Sequence, residues 1–208
     1  MTRSRRWTRA ASVTWGALCA PLIALACAGD PLPETTRQGG TAVAADSSIP
    51  RDESLRRFRA GVPPATALSG PRSADSLVAS FVAALAASDT TGLNDLVLDR
   101  AGFAWLFYET TPQGRPPYDL SPELMWDMLV RQSDRGLADA LKRIAGRELT
   151  LVGYDCGSEP AIEADNRVWG PCTITVERGS DTLVTRLTGP ILERGGRYKF
   201  ISFTNDLD

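Results

Sequence analysis

The chain has 208 residues, a net charge of −2 and no histidine. The absence of histidine excludes Ser-His-Asp and Cys-His catalysis, histidine metal sites and histidine pH switches. A basic nucleic-acid-binding face is also excluded, because beyond residue 26 the chain carries 19 basic and 25 acidic residues, a net charge of −6.

The first 26 residues have the pattern of an export signal. Arginine occupies positions 3, 5, 6 and 9, and no acidic residue precedes Asp30. Residues 10–26 are uncharged and mostly apolar, as in the hydrophobic region of a secretory signal. Either an ordinary cleaved signal or an uncleaved membrane anchor is compatible with this pattern alone, since the span approaches the lower length limit for crossing a bilayer.

The end of this segment resembles a bacterial lipoprotein signal. Ile23, Ala24, Leu25 and Ala26 precede Cys27, and the small Ala26 stands next to the cysteine. The resemblance implies that Cys27 is acylated, becomes the mature N-terminus and binds the membrane through its acyl chains. Because Ala28 rather than an acid follows, it also implies the periplasmic side of the outer membrane if the bacterium has two membranes. Cys19, which follows the large Leu18, fits this pattern less well.

Residues 27–70 are predicted to form a flexible tether, since they are rich in Pro, Gly, Ser, Thr and Ala with sparse apolar residues. A short helix near 52–60 interrupts them. Leu55 and Phe58 are three residues apart, so one helical turn would put both on the side that docks on the domain. Residues 71–208 are predicted to form that single domain.

The first half of the domain has helical periodicity. Ser73 is a predicted cap for a helix whose apolar residues recur at 77, 78, 81, 82 and 85. A second, shorter helix is predicted over 93–98. Residues 101–108 are too apolar to be exposed, and their pattern fits either a helix or a strand, with Ala101 and Ala104 slightly favouring a helix.

A later helix begins with Ser121 as cap and Pro122 at its first position. Its inner face is predicted to consist of Leu124, Met125, Met128 and Leu129, with Trp126 at the edge. Ser133 is a possible cap for a continuation of this helix, and Gly146 is its predicted end.

After Gly146 the apolar pattern alternates, which predicts an antiparallel meander of four strands at 148–156, 167–177, 182–192 and 197–204. Gly195 and Gly196 favour a hairpin turn, and Pro190 predicts a bend or interruption of the third strand. Pairing around a loop centred near Ala164 would place Cys156 opposite Cys172. We therefore predict a disulfide between them in an exported protein, rather than a metal or redox site.

The order of helices followed by strands predicts an α+β fold in which helices pack on a curved, cone-like four-stranded sheet. Residues 73–208 resemble the nuclear transport factor 2-like (ketosteroid-isomerase-like) domains in this order of elements. The resemblance implies a cone that often holds an apolar ligand pocket. Members of that fold include isomerases, dehydratases and cyclases as well as binding domains, so the fold does not decide the function.

Four aromatic residues are candidates for lining such a pocket: Trp105, Tyr108, Tyr118 and Trp126. Their apolar bodies and polar tips suit an amphipathic ligand, although core packing with a hydrogen-bonded tip explains them more simply. Asp99, Glu109 and Asp127 are candidate acid/base groups, and solvated helix faces explain them equally well.

No catalytic motif, metal site or cofactor site is predicted from the sequence. The leading hypothesis is a lipid-anchored envelope domain that binds a partner protein or a small apolar ligand. The alternative is a carboxylate-based isomerase or hydro-lyase in the cone. An open cavity in which a buried acid faces a tyrosine would favour the enzyme.

Overall fold

A computed structural model describes residues 49–206, with side-chain surroundings through residue 204. The leader, Cys19, Cys27 and the tether up to residue 48 lie outside the described residues. The compact unit is Ser47–Asp208. Residues 49–70, predicted as the last part of the tether with its docking helix, therefore belong to this unit.

The fold is α+β, with helices first and strands after them. The helices are α1 (Arg51–Arg59), α2 (Ala74–Ala87), α3 (Thr90–Asp95), α4 (Arg100–Gly102) and α5 (Pro122–Arg143), with a π-helical turn at Phe103–Phe107 and a 3-10 turn at Pro112–Gly114. Within residues 49–206, no helix is long and apolar enough to cross a membrane.

The first helix docks as predicted. Leu55 and Phe58 are 5% and 3% exposed, and the Ser54 hydroxyl donates to Glu123 on α5 at 3.0 Å. The ring of Phe58 meets the edge of Phe103 at 5.5 Å between centroids. This helix therefore buries its apolar side in the same cluster as the π-helical turn.

The predicted caps of α2 and α5 are confirmed. The Ser73 hydroxyl accepts a hydrogen bond from the Ser76 N–H, and the Ser121 hydroxyl accepts one from the Leu124 N–H. These contacts satisfy backbone donors that have no partner at a helix start. All five predicted apolar positions of α2 are buried.

Two details of the helical prediction were wrong. The helix expected at 93–98 lies at Thr90–Asp95, because Asp89 caps it through the Gly92 N–H. On α5, Leu124 and Met128 are about half exposed. Its buried residues instead include Met125, Gly136 and Ala140, and Leu129 is partly buried.

Residues 101–108, which the sequence left open, are helical. The Tyr108 N–H donates to the Phe103 carbonyl five residues earlier, which is the hydrogen bond of a π-helix. The turn buries four of its five side chains, and Trp105 is half-buried. Its high apolar content therefore reflects burial inside a helical segment.

Eight antiparallel strands form two four-stranded sheets, of orders β1-β4-β5-β8 and β2-β3-β6-β7. The strands are β1 (Thr150–Asp155), β2 (Ala161–Glu163), β3 (Asn166–Pro171), β4 (Thr173–Arg178), β5 (Asp181–Thr188), β6 (Pro190–Arg194), β7 (Arg197–Phe200) and β8 (Phe203–Asp206). Three of the four predicted strands are each divided into two, one part in each sheet, and β2 lies in a segment predicted to be a loop.

The divisions occur where the backbone ladder is interrupted. Pro171 and Pro190 are register partners at the ends of β3 and β6, and neither has an N–H to donate. The Gly189 N–H donates to the Ser202 carbonyl at 2.8 Å. A Cβ at Gly189 would lie 2.6 Å from the Ser202 hydroxyl and 3.0 Å from its carbonyl oxygen, so a larger residue would force a shift at this crossing. The predicted interruption near Pro190 is confirmed.

Cys156 and Cys172 form the predicted disulfide. The register of β1 and β4 pairs Asp155 with Thr173, which centres the pairing on Ala164 as expected. Ala164 itself has a positive φ of 57° in the turn between β2 and β3. The bond fixes the end of β1 to the junction of β3 and β4.

A candidate ligand-binding groove at the sheet junction

Three of the four aromatic residues singled out in the sequence belong to one apolar cluster or pack against it, and the fourth, Tyr118, is exposed. Tyr108 is 1% exposed, its hydroxyl donates to the Leu120 carbonyl at 2.7 Å, and burial raises the pKa of its phenol. Trp126 packs on Phe103 at 5.2 Å between centroids. Trp105 packs against the same cluster, whereas Tyr118 is 65% exposed.

Arginines of α1 cover this aromatic cluster from outside. The Arg59 guanidinium lies 4.2 Å from the Trp105 ring centre and donates to the Ala104 carbonyl. The Arg51 guanidinium lies 5.4 Å from the Tyr108 ring centre. Trp126 borders a cavity of about 200 Å³ and Tyr108 borders a separate one of about 190 Å³. The structure therefore does not bring the four residues together around one cavity.

The three candidate acid/base carboxylates each have a local partner. Asp99 caps α4 by accepting the Gly102 N–H at 2.7 Å. Glu109 accepts a hydrogen bond from Arg59 at 2.6 Å, and Asp127 pairs with Arg131 one turn along α5 at 2.8 Å. None of the three faces a tyrosine across a cavity described above.

A different set of residues converges on a groove of about 420 Å³. It lies beside the disulfide, where the end of β1, strands β3, β6 and β7 and the first turn of α2 meet. Three aromatic side chains, two carboxylates and one half of the disulfide contribute to its lining: Tyr154, Trp169, Tyr198, Asp75, Asp155 and Cys156.

The strand register holds these residues in place. Trp169 of β3 is the register partner of Ile191 on β6, and Ile191 is fully buried. Tyr198 on β7 pairs with Glu193 on the same sheet, and its backbone N–H donates to the Pro71 carbonyl at 3.0 Å. The groove is therefore built on paired strands and on the disulfide.

The Tyr154 hydroxyl donates to Asp75 Oδ1 at 2.7 Å across 79 residues of sequence. Burial of the phenol, this hydrogen bond and the charge of Asp75 raise the pKa of Tyr154 to about 12. Burial, and after it the charge of Glu193, also raises the pKa of Tyr198. At neutral pH both phenols keep their protons, and the proton of Tyr154 is held by Asp75.

The indole N–H of Trp169 is buried and has no hydrogen-bond acceptor in the described part of the chain. An unpaired buried donor costs free energy, and most buried donors in proteins have a partner. Trp169 borders the groove, but its N–H is closed to solvent, so a ligand in the groove meets other atoms of this side chain.

Another cavity, of about 610 Å³, lies between residues 66–70 and the turns carrying Asp165 and Gly195. Its two arginines already have internal partners. Arg194 donates to Asn166 and Asp165, and Arg197 donates to the Gly70 carbonyl. These contacts fix the segment 66–70 and the β2–β3 turn, so this cavity is the weaker candidate for a site.

Residues 49–206 contain no group of three or more acidic or cysteine side chains that could hold a metal ion. Comparisons of the chain with protein-family models, curated proteins and solved structures give no match.

Sequence reasoning missed the groove residues. Tyr154, Trp169 and Tyr198 belong to predicted strands, and nothing in their spacing indicates that they meet. One signal was available: Tyr154 precedes the predicted disulfide residue Cys156 by two, which places both on one face of an extended strand.

Proposed function

We propose that this protein binds a small amphipathic ligand in the groove formed by Tyr154, Trp169 and Tyr198. The single observation that carries the proposal is this aromatic lining of a groove built on paired strands. Ligand sites are typically concave, mostly apolar and of a few hundred cubic ångströms, with a few polar groups that orient the ligand. The groove has such a volume, and its aromatic side chains are accompanied by polar groups.

A carboxylate-based proton-transfer enzyme is the second candidate, and the Asp75–Tyr154 contact is the observation that favours it. Two features favour binding instead. A phenol whose pKa is about 12 and whose proton is held by Asp75 is poorly matched to proton transfer near neutral pH. Asp75 is also exposed, whereas a catalytic acid is commonly tuned by burial.

The proposal includes export and anchoring. Its support is the lipoprotein-like segment before Cys27 together with a separate compact unit that begins at Ser47. The disulfide agrees with this, because such bonds persist in oxidising compartments outside the cytosol. We place the protein in the cell envelope, held by acyl chains on Cys27.

A cone-like, nuclear transport factor 2-like arrangement is also part of the proposal. Its support is that the two sheets have matching orders, since β1, β4, β5 and β8 continue into β2, β3, β6 and β7 respectively. One bent four-stranded meander under N-terminal helices would have this topology. The groove lies at the bend.

The proposal is tested with N-phenyl-1-naphthylamine, an uncharged amphipathic fluorophore. The wild-type domain, residues 47–208, is expected to enhance its emission with a saturable 1:1 isotherm. Tyr198→Ala should weaken binding by about ten-fold, because one aromatic wall is lost. The matched control Tyr118→Ala removes an exposed tyrosine that does not line the groove and should bind like wild type.

Thermal unfolding of both variants is measured first, so that a loss of affinity is interpreted only for a variant that is folded. Equal affinity of Tyr198→Ala and Tyr118→Ala would overturn the assignment of the site. Absence of saturable binding to the wild type would overturn the proposal as a whole.

A further inference from the structure

The charge of the groove lining narrows the class of ligand, an inference that rests on the proposed binding function. The lining contains two carboxylates, Asp75 and Asp155, and no lysine or arginine. Over residues 49–206, neither carboxylate lies within 4.0 Å of a basic group as an ion pair. The groove therefore has a net negative lining.

Each carboxylate accepts one hydrogen bond from within the protein. Asp75 accepts the Tyr154 hydroxyl through Oδ1, and Asp155 accepts the Gly157 N–H through Oδ1 at 2.8 Å. Both residues are exposed, so their Oδ2 atoms are available to a ligand from solution. Arg167, whose positive charge opposes the rise in the pKa of Tyr198, forms an ion pair with Glu193 at 3.6 Å.

The aromatic residues of the groove differ from those elsewhere in the protein. Arginine guanidinium groups lie over the rings of Phe58, Trp105 and Tyr108 at 4.2 to 5.4 Å. In the described part of the chain no such group lies over Tyr154, Trp169 or Tyr198. Aromatic faces attract cations through the ring quadrupole, and a nearby carboxylate adds to that attraction. The groove thus combines unoccupied aromatic surface with unpaired negative charge.

We propose that the ligand of the groove is a small organic cation, an ammonium group attached to an apolar or weakly polar body. The ammonium group lies near Asp75 and Asp155, beside the ring of Tyr154. The apolar part contacts Trp169 and Tyr198.

The test compares choline with its uncharged carbon isostere 3,3-dimethylbutan-1-ol, which has the same shape and hydroxyl group. Both are titrated into isotopically labelled residues 47–208, and the amide and indole shifts of the groove are followed by NMR. Choline is expected to bind about ten-fold more tightly than the isostere. Its affinity should fall as salt is raised, and that of the isostere should not.

Asp75→Asn should weaken choline binding about three-fold and leave the isostere unchanged. The matched control is Asp52→Asn, which removes the same charge from an exposed position on α1. This variant should change neither affinity, which separates a local contact from the effect of net charge.

The outcomes separate this inference from the proposed function. If N-phenyl-1-naphthylamine binds in the groove but choline binds no more tightly than its isostere, the cation inference is overturned and the binding function stands. If none of the three compounds shifts the groove resonances, both fall. Equal losses in Asp75→Asn and Asp52→Asn would also overturn the cation inference.

Discussion

Tyr154 owes its unusually high pKa to burial and to a contact with a residue distant in the sequence. Burial and the hydrogen bond to Asp75 raise its pKa to about 12, so the folded state favours the protonated phenol. A raised folded-state pKa contributes stability that is complete below the unfolded pKa of about 10 and is lost as the pH rises through about 12.

The free energy of unfolding of the wild type should therefore decline more steeply between about pH 10 and pH 12 than that of Tyr154→Phe. The phenylalanine cannot ionise, so the difference between the two curves isolates Tyr154 from Tyr108 and Tyr198. Urea unfolding at a series of pH values measures it. Parallel curves for the two proteins would contradict the environment assigned to this tyrosine.

Gly136 is a second residue whose role depends on a distant element. It lies on α5 where that helix crosses β8, and an added Cβ would lie 2.5 Å from the Thr204 carbonyl oxygen. Gly136→Ala should thus lower the unfolding free energy by about 2 kcal/mol, because the helix and the strand must separate. Chemical denaturation measures this.

Gly153→Ala is the matched control for that substitution. Gly153 lies in β1, and a Cβ there would meet nothing within 4 Å. The alanine should be neutral or slightly stabilising, because it restricts the unfolded chain. If Gly136→Ala were as stable as Gly153→Ala, the close crossing of α5 and β8 would be wrong.

At the scale of elements, the disulfide connects the end of β1 to the β3–β4 junction across 16 residues of sequence. Replacing both cysteines by alanine should lower the unfolding free energy by about 3 kcal/mol in the chain-entropy model. Denaturation of the two proteins under non-reducing conditions gives the difference. Identical stability, or two free thiols in the oxidised wild type, would contradict the bond.

Elements with strong local signals could be predicted from the sequence. Ser73 and Ser121 mark helix starts because capping needs only residues within one turn. The disulfide followed from strand pairing around Ala164. The division of the long strands was only partly predictable. Pro190 indicated one interruption. The contact of Gly189 with Ser202 connects the β5–β6 link to the β7–β8 link, and nothing in the neighbouring sequence predicts it.

The groove could not be predicted from the sequence, because its residues also come together without any local signal. Its aromatic residues lie on three strands, and Asp75 lies on α2, so their meeting depends on the register of the whole sheet. Conversely, Trp105 and Tyr108 attracted attention because they are adjacent in the sequence, yet arginines of α1 cover them. In this chain, therefore, aromatic residues that are close in the sequence belong to the core and not to a ligand site.

At the scale of the whole molecule, we propose an exported protein held in the membrane by acyl chains on Cys27. When the full precursor is produced in a bacterium with labelled palmitate, the wild type should carry label and sediment with membranes. Cys27→Ser should lose both properties, because acyl chains supply the anchoring free energy. Cys19→Ser is the matched control and should behave as wild type. An unlabelled, soluble wild-type protein would refute the anchoring.

The central claim is that the groove beside the disulfide holds a ligand. Native mass spectrometry of the protein purified from its own membranes tests it most directly. The account predicts a bound small molecule that Tyr118→Ala retains and Tyr198→Ala loses while remaining folded. A wild type that carries nothing, or a Tyr198→Ala variant that retains the same molecule, would contradict the account.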